Sequence, residues 1–241
     1  MTGRARGRRV DTPQGPAEVR LHRAEGPGGG TLVLGHGAGA GVETADLQAL
    51  VGLVSSGWTV ALVQQPWRVA GRRVATSAPT LDAATTAVLS TLRHGRWRVP
   101  EPVVLGGRSA GARVACRLAG AVGAAGVVAL AFPLYPPGRP ERSRADELLA
   151  PVRDGIPTLV VQGARDPFGG PREIRSVLAG RAARVVEVPG DHGPTRDLPT
   201  LRDAVSDFLD GLRLSPAAGP SGRAQEPDTD EHPPPTRSTH V

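Results

Sequence analysis

The 241-residue chain has 29 basic residues, all of them arginine, against 23 acidic ones, and a formal charge of +6. Aromatic residues make up only 3%, too few to stack single-stranded bases, so no nucleic-acid partner is expected despite the charge. One cysteine excludes an intramolecular disulfide and a cysteine-built zinc cluster. No apolar run reaches the roughly 18 residues of a membrane span and the start lacks the apolar segment of a signal peptide, so a cytoplasmic protein without a membrane partner is expected.

Residues 1–9 include Arg4, Arg6, Arg8 and Arg9 without an apolar cluster and read as a flexible basic start. Val10 to Thr12 and Ala17 to His22, separated by Pro13-Gln14-Gly15-Pro16, suit an antiparallel hairpin. Thr31-Leu32-Val33-Leu34 is the continuous apolar run of a strand buried on both faces. It enters Gly35-His36-Gly37-Ala38-Gly39-Ala40-Gly41, and an amphipathic segment from Thr44 to Ser56 follows. Neither a dinucleotide-binding Gly-x-Gly-x-x-Gly nor a P-loop can be fitted to this glycine run.

Trp58 to Val63 is the next strand, followed by Pro66-Trp67-Arg68 and an Arg-rich loop. A helix is predicted from Pro79 to Arg93, with Leu81, Ala84, Val88 and Leu92 on one face. Val103-Val104-Leu105 then leads into Gly106-Gly107-Arg108-Ser109-Ala110-Gly111 and a helix from Ala110 to Val122, with Cys116 on the same helix face as Ser109 and expected to be buried. Strands follow at Gly126 to Ala131, Thr158 to Gln162 and Arg184 to Val188, with helices at Ala145 to Leu149, Pro171 to Leu178 and Thr200 to Leu212. Beyond Ser215 the chain is rich in Pro, Gly and charge, which reads as a disordered tail over 215–241. The folded domain is therefore placed at 10–214. Its alternating strands and helices give the fold class α/β, with a mostly parallel, doubly wound sheet whose sites lie at the carboxyl ends of strands.

Gly107-Arg108-Ser109-Ala110-Gly111 is Gly-x-Ser-x-Gly, the pattern of a strand-to-helix elbow that exposes a serine hydroxyl. In a chain with 32 glycines the pattern arises readily by chance, so its context must carry the argument. A serine hydroxyl needs a base to take its proton and a carboxylate to hold that base. Asp166 and His192 follow Ser109 in the order Ser, acid, His that α/β-hydrolases use, each just after a predicted strand. Asp191 and Asp197 are the competing acids, and an ordinary turn aspartate is the competing reading of Asp166. His36 lies inside the glycine loop, where an orienting or structural role suits it better than that of a base. The backbone N–H of Ala110 and that of Ala38 are the candidate donors to an oxyanion.

Several stretches resemble the KANL/Tex-type α/β-hydrolase-like domain of bacteria, a relative of dienelactone hydrolases. They are His36-Gly37-Ala38-Gly39, Pro66-Trp67-Arg68, Gly106 to Gly111, Phe132-Pro133-Leu134 with Pro136-Pro137-Gly138, and Gln162-Gly163-Ala164-Arg165-Asp166-Pro167-Phe168-Gly169. The resemblance covers roughly residues 10–212. It implies a single α/β-hydrolase fold domain, and only about two dozen residues separate the strands on either side of Pro136, so no large lid domain is expected. Dienelactone hydrolases proper carry a cysteine nucleophile where this chain has Ser109, so their reaction is not transferred.

The expected function is a serine hydrolase acting on a small ester or thioester, with a small-molecule acyl substrate and no cofactor or metal. The alternative is a catalytically silent protein of the same fold that binds or scaffolds. Acyl transfer to an acceptor other than water is a third reading. His36, Trp67, Arg68 and Arg108 are the candidate substrate contacts. Arg68, Arg108 and Arg165 either attract an anionic group or are surface arginines paired with nearby acids.

Overall fold

Short apolar runs bounded by glycine and proline form the strands of one sheet. The computed structural model describes residues 7–26, 28–94 and 97–214. The expected tail over 215–241 and residues 1–6 of the expected flexible start lie outside the described residues. The strands are β1 (Arg8–Val10), β2 (Ala17–His22), β3 (Gly30–Gly35), β4 (Trp58–Gln64), β5 (Val103–Arg108), β6 (Gly126–Leu130), β7 (Thr158–Gly163) and β8 (Ala183–Val188). They lie in the order β1-β2-β4-β3-β5-β6-β7-β8, with β1 and β2 antiparallel and the rest parallel.

The hairpin begins two residues earlier than expected. Arg8 and Arg9, placed in the flexible start by their charge, pair with Val19 and Glu18. An edge strand needs only its backbone groups for pairing, and the Arg8 guanidinium finds a place 5.3 Å from the Trp97 ring centroid.

Alternation along each central strand divides the apolar side chains between two cores. In β3, Leu32 and Leu34 pack with Leu47 of α1 (Ala45–Ala49), with Leu50 and Leu53 of the 3-10 segment Leu50–Ser56, and with Leu201, Val205 and Leu209 of α7 (Leu198–Leu214). Val33 faces the other way. It joins Val88 and Leu92 of α3 (Ala78–Arg93), Ala112, Ala115 and Cys116 of α4 (Ala110–Leu118), Leu148 of α5 (Ala145–Arg153) and Ile174 of α6 (Pro171–Val177). Each fully buried leucine contributes roughly 1.5–3 kcal/mol through its removal from water. These two layers hold the sheet rigid.

The segment expected as one helix over Thr44 to Ser56 splits after Ala49, where Gly52 and the β-branched Val51 and Val54 weaken the α form. A short helix, α2 (Pro66–Val69), was not read from the sequence; Pro66 sits at its first turn. The connection from β6 to β7 contains only α5, and there is no inserted lid domain.

The topology also places the site. From β3 the chain moves to β4 on one side, and from β5 it moves to β6 on the other. The two neighbouring loops diverge there, opening a crevice at the carboxyl ends of β3 and β5.

Candidate active site

Strand β5 runs straight into α4, and Ser109 is the residue at the bend. Its backbone has φ 53° and ψ −108°, a conformation that costs a residue with a Cβ about 1–3 kcal/mol and persists only where the surroundings enforce it. Two contacts do so. The Ser109 N–H donates to the Leu130 carbonyl at the end of β6 (2.9 Å), and the bend packs directly on β3. A Cβ at Gly107 or at Gly111 would come within 2.4 Å of the Gly35 carbonyl oxygen, so both positions exclude any larger residue. The sharp turn that the Gly-x-Ser-x-Gly spacing predicts is thus a matter of close backbone approach.

Loops after β7 and β8 bring the other two side chains. The Ala164 N–H donates to the Val188 carbonyl and the Arg165 N–H to the Gly190 carbonyl, fastening the loops together (2.8 and 2.9 Å). Across this junction the His192 Nδ1 lies 2.8 Å from Asp166 Oδ2, and His192 Nε2 lies 2.8 Å from Ser109 Oγ. Asp166 is 5% exposed, and its Oδ1 accepts the Phe168 N–H at 2.9 Å. The Phe168 ring stands perpendicular to the His192 imidazole, centroids 4.6 Å apart, and fixes the plane of that ring. A carboxylate on Nδ1 makes that nitrogen the protonated one, which leaves Nε2 free to accept from the serine hydroxyl.

The competing acids do not reach His192. Asp191 turns Oδ1 toward the Gly193 N–H (3.3 Å). Asp197 accepts from the Thr200 N–H and hydroxyl at the start of α7, and those two hydrogen bonds hold its carboxyl below the ordinary aspartate value. Of the remaining histidines, His22 is on β2 and His94 caps α3 with Nδ1 on the Ser90 carbonyl, while His232 and His240 lie outside the described residues.

Beside Ser109 runs the glycine loop after β3. A Cβ at Gly37 would lie 3.4 Å from Ser109 Cβ, which places the loop backbone against the serine. The N–H groups of Ala38 in that loop and of Ala110 in the first turn of α4 are not bonded to any described residue. His36 holds the loop from behind: its Nδ1–H donates to the Gly37 carbonyl (2.8 Å), and its Nε2 accepts the Gln65 N–H (3.0 Å). Both ring nitrogens are thereby used. Burial holds the His36 imidazole below its ordinary value, and the Gly37 and Ala40 carbonyls oppose that only in part.

A family model described as "Alpha/beta hydrolase domain" matches residues 29–197. The chain belongs to this family. Three solved structures share the α/β hydrolase fold at low sequence identity. An alpha-beta serine hydrolase homologue from Coxiella burnetii is 19% identical with a TM-score of 0.70, over 88% of this chain and 98% of that one. A Xanthomonas campestris member of the a/b serine hydrolases without lid is 20% identical with a TM-score of 0.67, over 90% and 98%. A dienelactone hydrolase from Anabaena variabilis is 16% identical with a TM-score of 0.68, over 86% and 96%. A search of curated proteins finds no match.

Within this α/β hydrolase fold, three of the four candidate substrate contacts, His36, Trp67 and Arg108, have partners inside the protein. His36 and Trp67 are 3% and 4% exposed, with ring centroids 5.5 Å apart, and underlie the glycine loop instead of facing an open surface. Arg108 Nε lies 3.2 Å from Oδ2 of the fully buried Asp46 on α1, and its Nη2 donates to the His192 carbonyl at 3.3 Å. It is an internal tie between α1 and the histidine loop. Arg68 faces Glu43 at 3.8 Å. Of the three arginines considered for an anion, only Arg165 is exposed and without an ion pair among the described residues.

Two residues escaped the sequence reading. Asp46 is the buried partner of Arg108, and no local pattern announces a pairing across 62 positions. Gln162 was legible in principle: a polar side chain closing the apolar run Thr158 to Val161 must find partners if that strand is central. Among the described residues, no group of three or more His, Cys, Asp or Glu side chains could hold a metal ion.

Proposed function

We propose that this α/β hydrolase is a serine hydrolase that cleaves a small ester or thioester through an acyl-enzyme. The narrower resemblance to the KANL/Tex-type domain belongs to the same proposal. Its main support is the continuous chain Asp166–His192–Ser109, with both contacts at 2.8 Å and the serine at a strained elbow.

Ser109 Oγ attacks the acyl carbon while His192 Nε2 takes its proton. Asp166 keeps Nδ1–H in place and stabilises the imidazolium that forms. The carbonyl oxygen becomes an oxyanion beside the N–H groups of Ala110 and Ala38, which are fixed before the reaction and need no reorganisation. His192 then returns the proton to the leaving alcohol or thiol. Water, deprotonated by the same imidazole, attacks the acyl-serine and releases the acid. His36 and Trp67 support the Ala38 loop, and Arg108 supports the His192 loop. The absence of an inserted lid leaves the crevice open, which suits small, water-soluble substrates.

Hydrolysis of short p-nitrophenyl esters and of an acyl thioester tests this reading. Wild type is expected to turn over at least one of them, and Ser109→Ala to lose at least about 10³-fold in kcat. Equal rates in wild type and Ser109→Ala, or no turnover of any substrate by folded wild type, would favour a catalytically silent binding protein.

A further inference from the structure

Gln162 is fully buried at the carboxyl end of β7 and touches no other group of the Ser109 relay except Asp166. Its Oε1 accepts the Phe132 N–H at 2.9 Å. Its Nε2 lies 2.9 Å from Asp166 Oδ2, 2.7 Å from the Gly169 carbonyl and 3.2 Å from the Phe132 carbonyl. The amide orientation is dictated by its surroundings: an N–H needs the oxygen, and a carboxylate and two carbonyls need the hydrogens. The end of β6 is shaped to reach it. Ala131 has a positive φ of 47°, and its own N–H donates to the Val161 carbonyl, so the next N–H, that of Phe132, turns to the Gln162 side chain.

Asp166 Oδ2 is the same oxygen that receives His192 Nδ1. We infer that Gln162 is a positioning residue, whose amide both fixes the Asp166 carboxylate and limits how strongly that carboxylate draws on the His192 proton. This inference rests on the proposed role of His192 as the base. An amide that merely filled space between β6 and the Asp166 loop would touch either carbonyl, but it would not donate to the oxygen that carries the relay.

The expected signature has a definite sign. Without the amide donor, Asp166 Oδ2 keeps more charge for His192 Nδ1–H and favours the imidazolium. The acid limb of kcat/KM, which reports loss of that proton, then moves to higher pH. Gln162→Met removes the donor at similar volume. Gln162→Glu keeps an acceptor for the Phe132 N–H, and in this fully buried place beside the Asp166 carboxylate it stays protonated, so its hydroxyl still donates to Asp166 Oδ2 and its limb should lie near that of wild type. The other charged or titratable groups around His192 are Asp166 itself, Ser109, the Arg108–Asp46 pair behind its carbonyl and the neighbouring Asp191, and none of them is changed by these substitutions.

The experiment combines pH profiles of kcat/KM with nuclear magnetic resonance titration of the His192 imidazole in wild type and both variants. Expected are an upward move of both midpoints in Met, with Glu close to wild type, and a fall in kcat of about tenfold for Met. A Met midpoint coincident with that of wild type in the folded variant would overturn the inference, even if stability fell. The resonance titration needs no turnover, so it reads the Gln162 coupling even if the hydrolase reading fails. Wild type gives a further check should the variants not fold. A Gln162 Nε2 proton is expected to be protected from exchange and to shift through the His192 titration; a resonance insensitive to it would also overturn the inference.

Discussion

Replacing Ser109 by glycine and, separately, by alanine isolates the backbone strain of the elbow. Both variants lose the hydroxyl and its contact with His192 Nε2, so the two differ only in whether position 109 carries a Cβ. At φ 53° and ψ −108° a residue with a Cβ is strained by about 1–3 kcal/mol, and glycine escapes that cost. Glycine also adds freedom to the unfolded chain, which offsets roughly 0.5–1 kcal/mol of the gain. Ser109→Gly should therefore be more stable than Ser109→Ala by up to about 2.5 kcal/mol and by about 1 kcal/mol at mid-range, which for a domain of this size is a few degrees in Tm. Urea denaturation of the two variants, followed by circular dichroism with m held common, measures the difference. A glycine variant less stable than the alanine variant would refute the claim that the β5–α4 bend stores strain at the serine.

Other expectations follow from buried groups around the site. Arg108→Met should cost about 3–5 kcal/mol because it strands the Asp46 carboxylate in the core, whereas Asp46→Leu combined with Arg108→Met should recover most of that loss in a urea double-mutant cycle. Burial lowers the His36 pKa, so the unfolded chain takes up a proton that the folded one refuses. Stability is then fully present above the ordinary histidine value of 6.5 and declines as pH falls below it, and His36→Gln should flatten the decline seen between denaturation curves at neutral and mildly acidic pH. His22, lowered in the same direction by burial and then by Arg20, retains part of that slope in the variant. The Cys116 thiol is pushed up to about 12 by burial, with Glu147 adding to the effect, so Ellman's reagent should leave it unmodified in the native protein and react with it in urea.

The central strands were legible because a parallel sheet covered on both faces demands uninterrupted apolar runs, and Thr31 to Leu34, Val103 to Leu105 and Thr158 to Val161 supply them. The buried face of α3 was equally plain, since Leu81, Ala84, Val88 and Leu92 recur at helical spacing. Ser109, Asp166 and His192 could be placed at strand ends from the predicted strands, and their order along the chain singled them out. What the sequence left hidden depends on contacts between distant segments. Nothing near His36 reveals that Gln65 occupies its Nε2, and nothing near Arg108 reveals that Asp46 is its acid, so both stood as candidate substrate contacts beside their structural readings. The start of β1 was missed for a related reason: edge pairing is carried by backbone groups, and the charges of Arg8 and Arg9 argued against it.

The most direct test of the account is covalent labelling of Ser109. The folded protein is treated with a fluorophosphonate and the modified peptide is mapped, alongside Ser109→Ala and Asp166→Asn. A single adduct on Ser109 is expected in wild type, none in Ser109→Ala and much slower labelling in Asp166→Asn. A folded wild-type protein that leaves Ser109 unlabelled would contradict it.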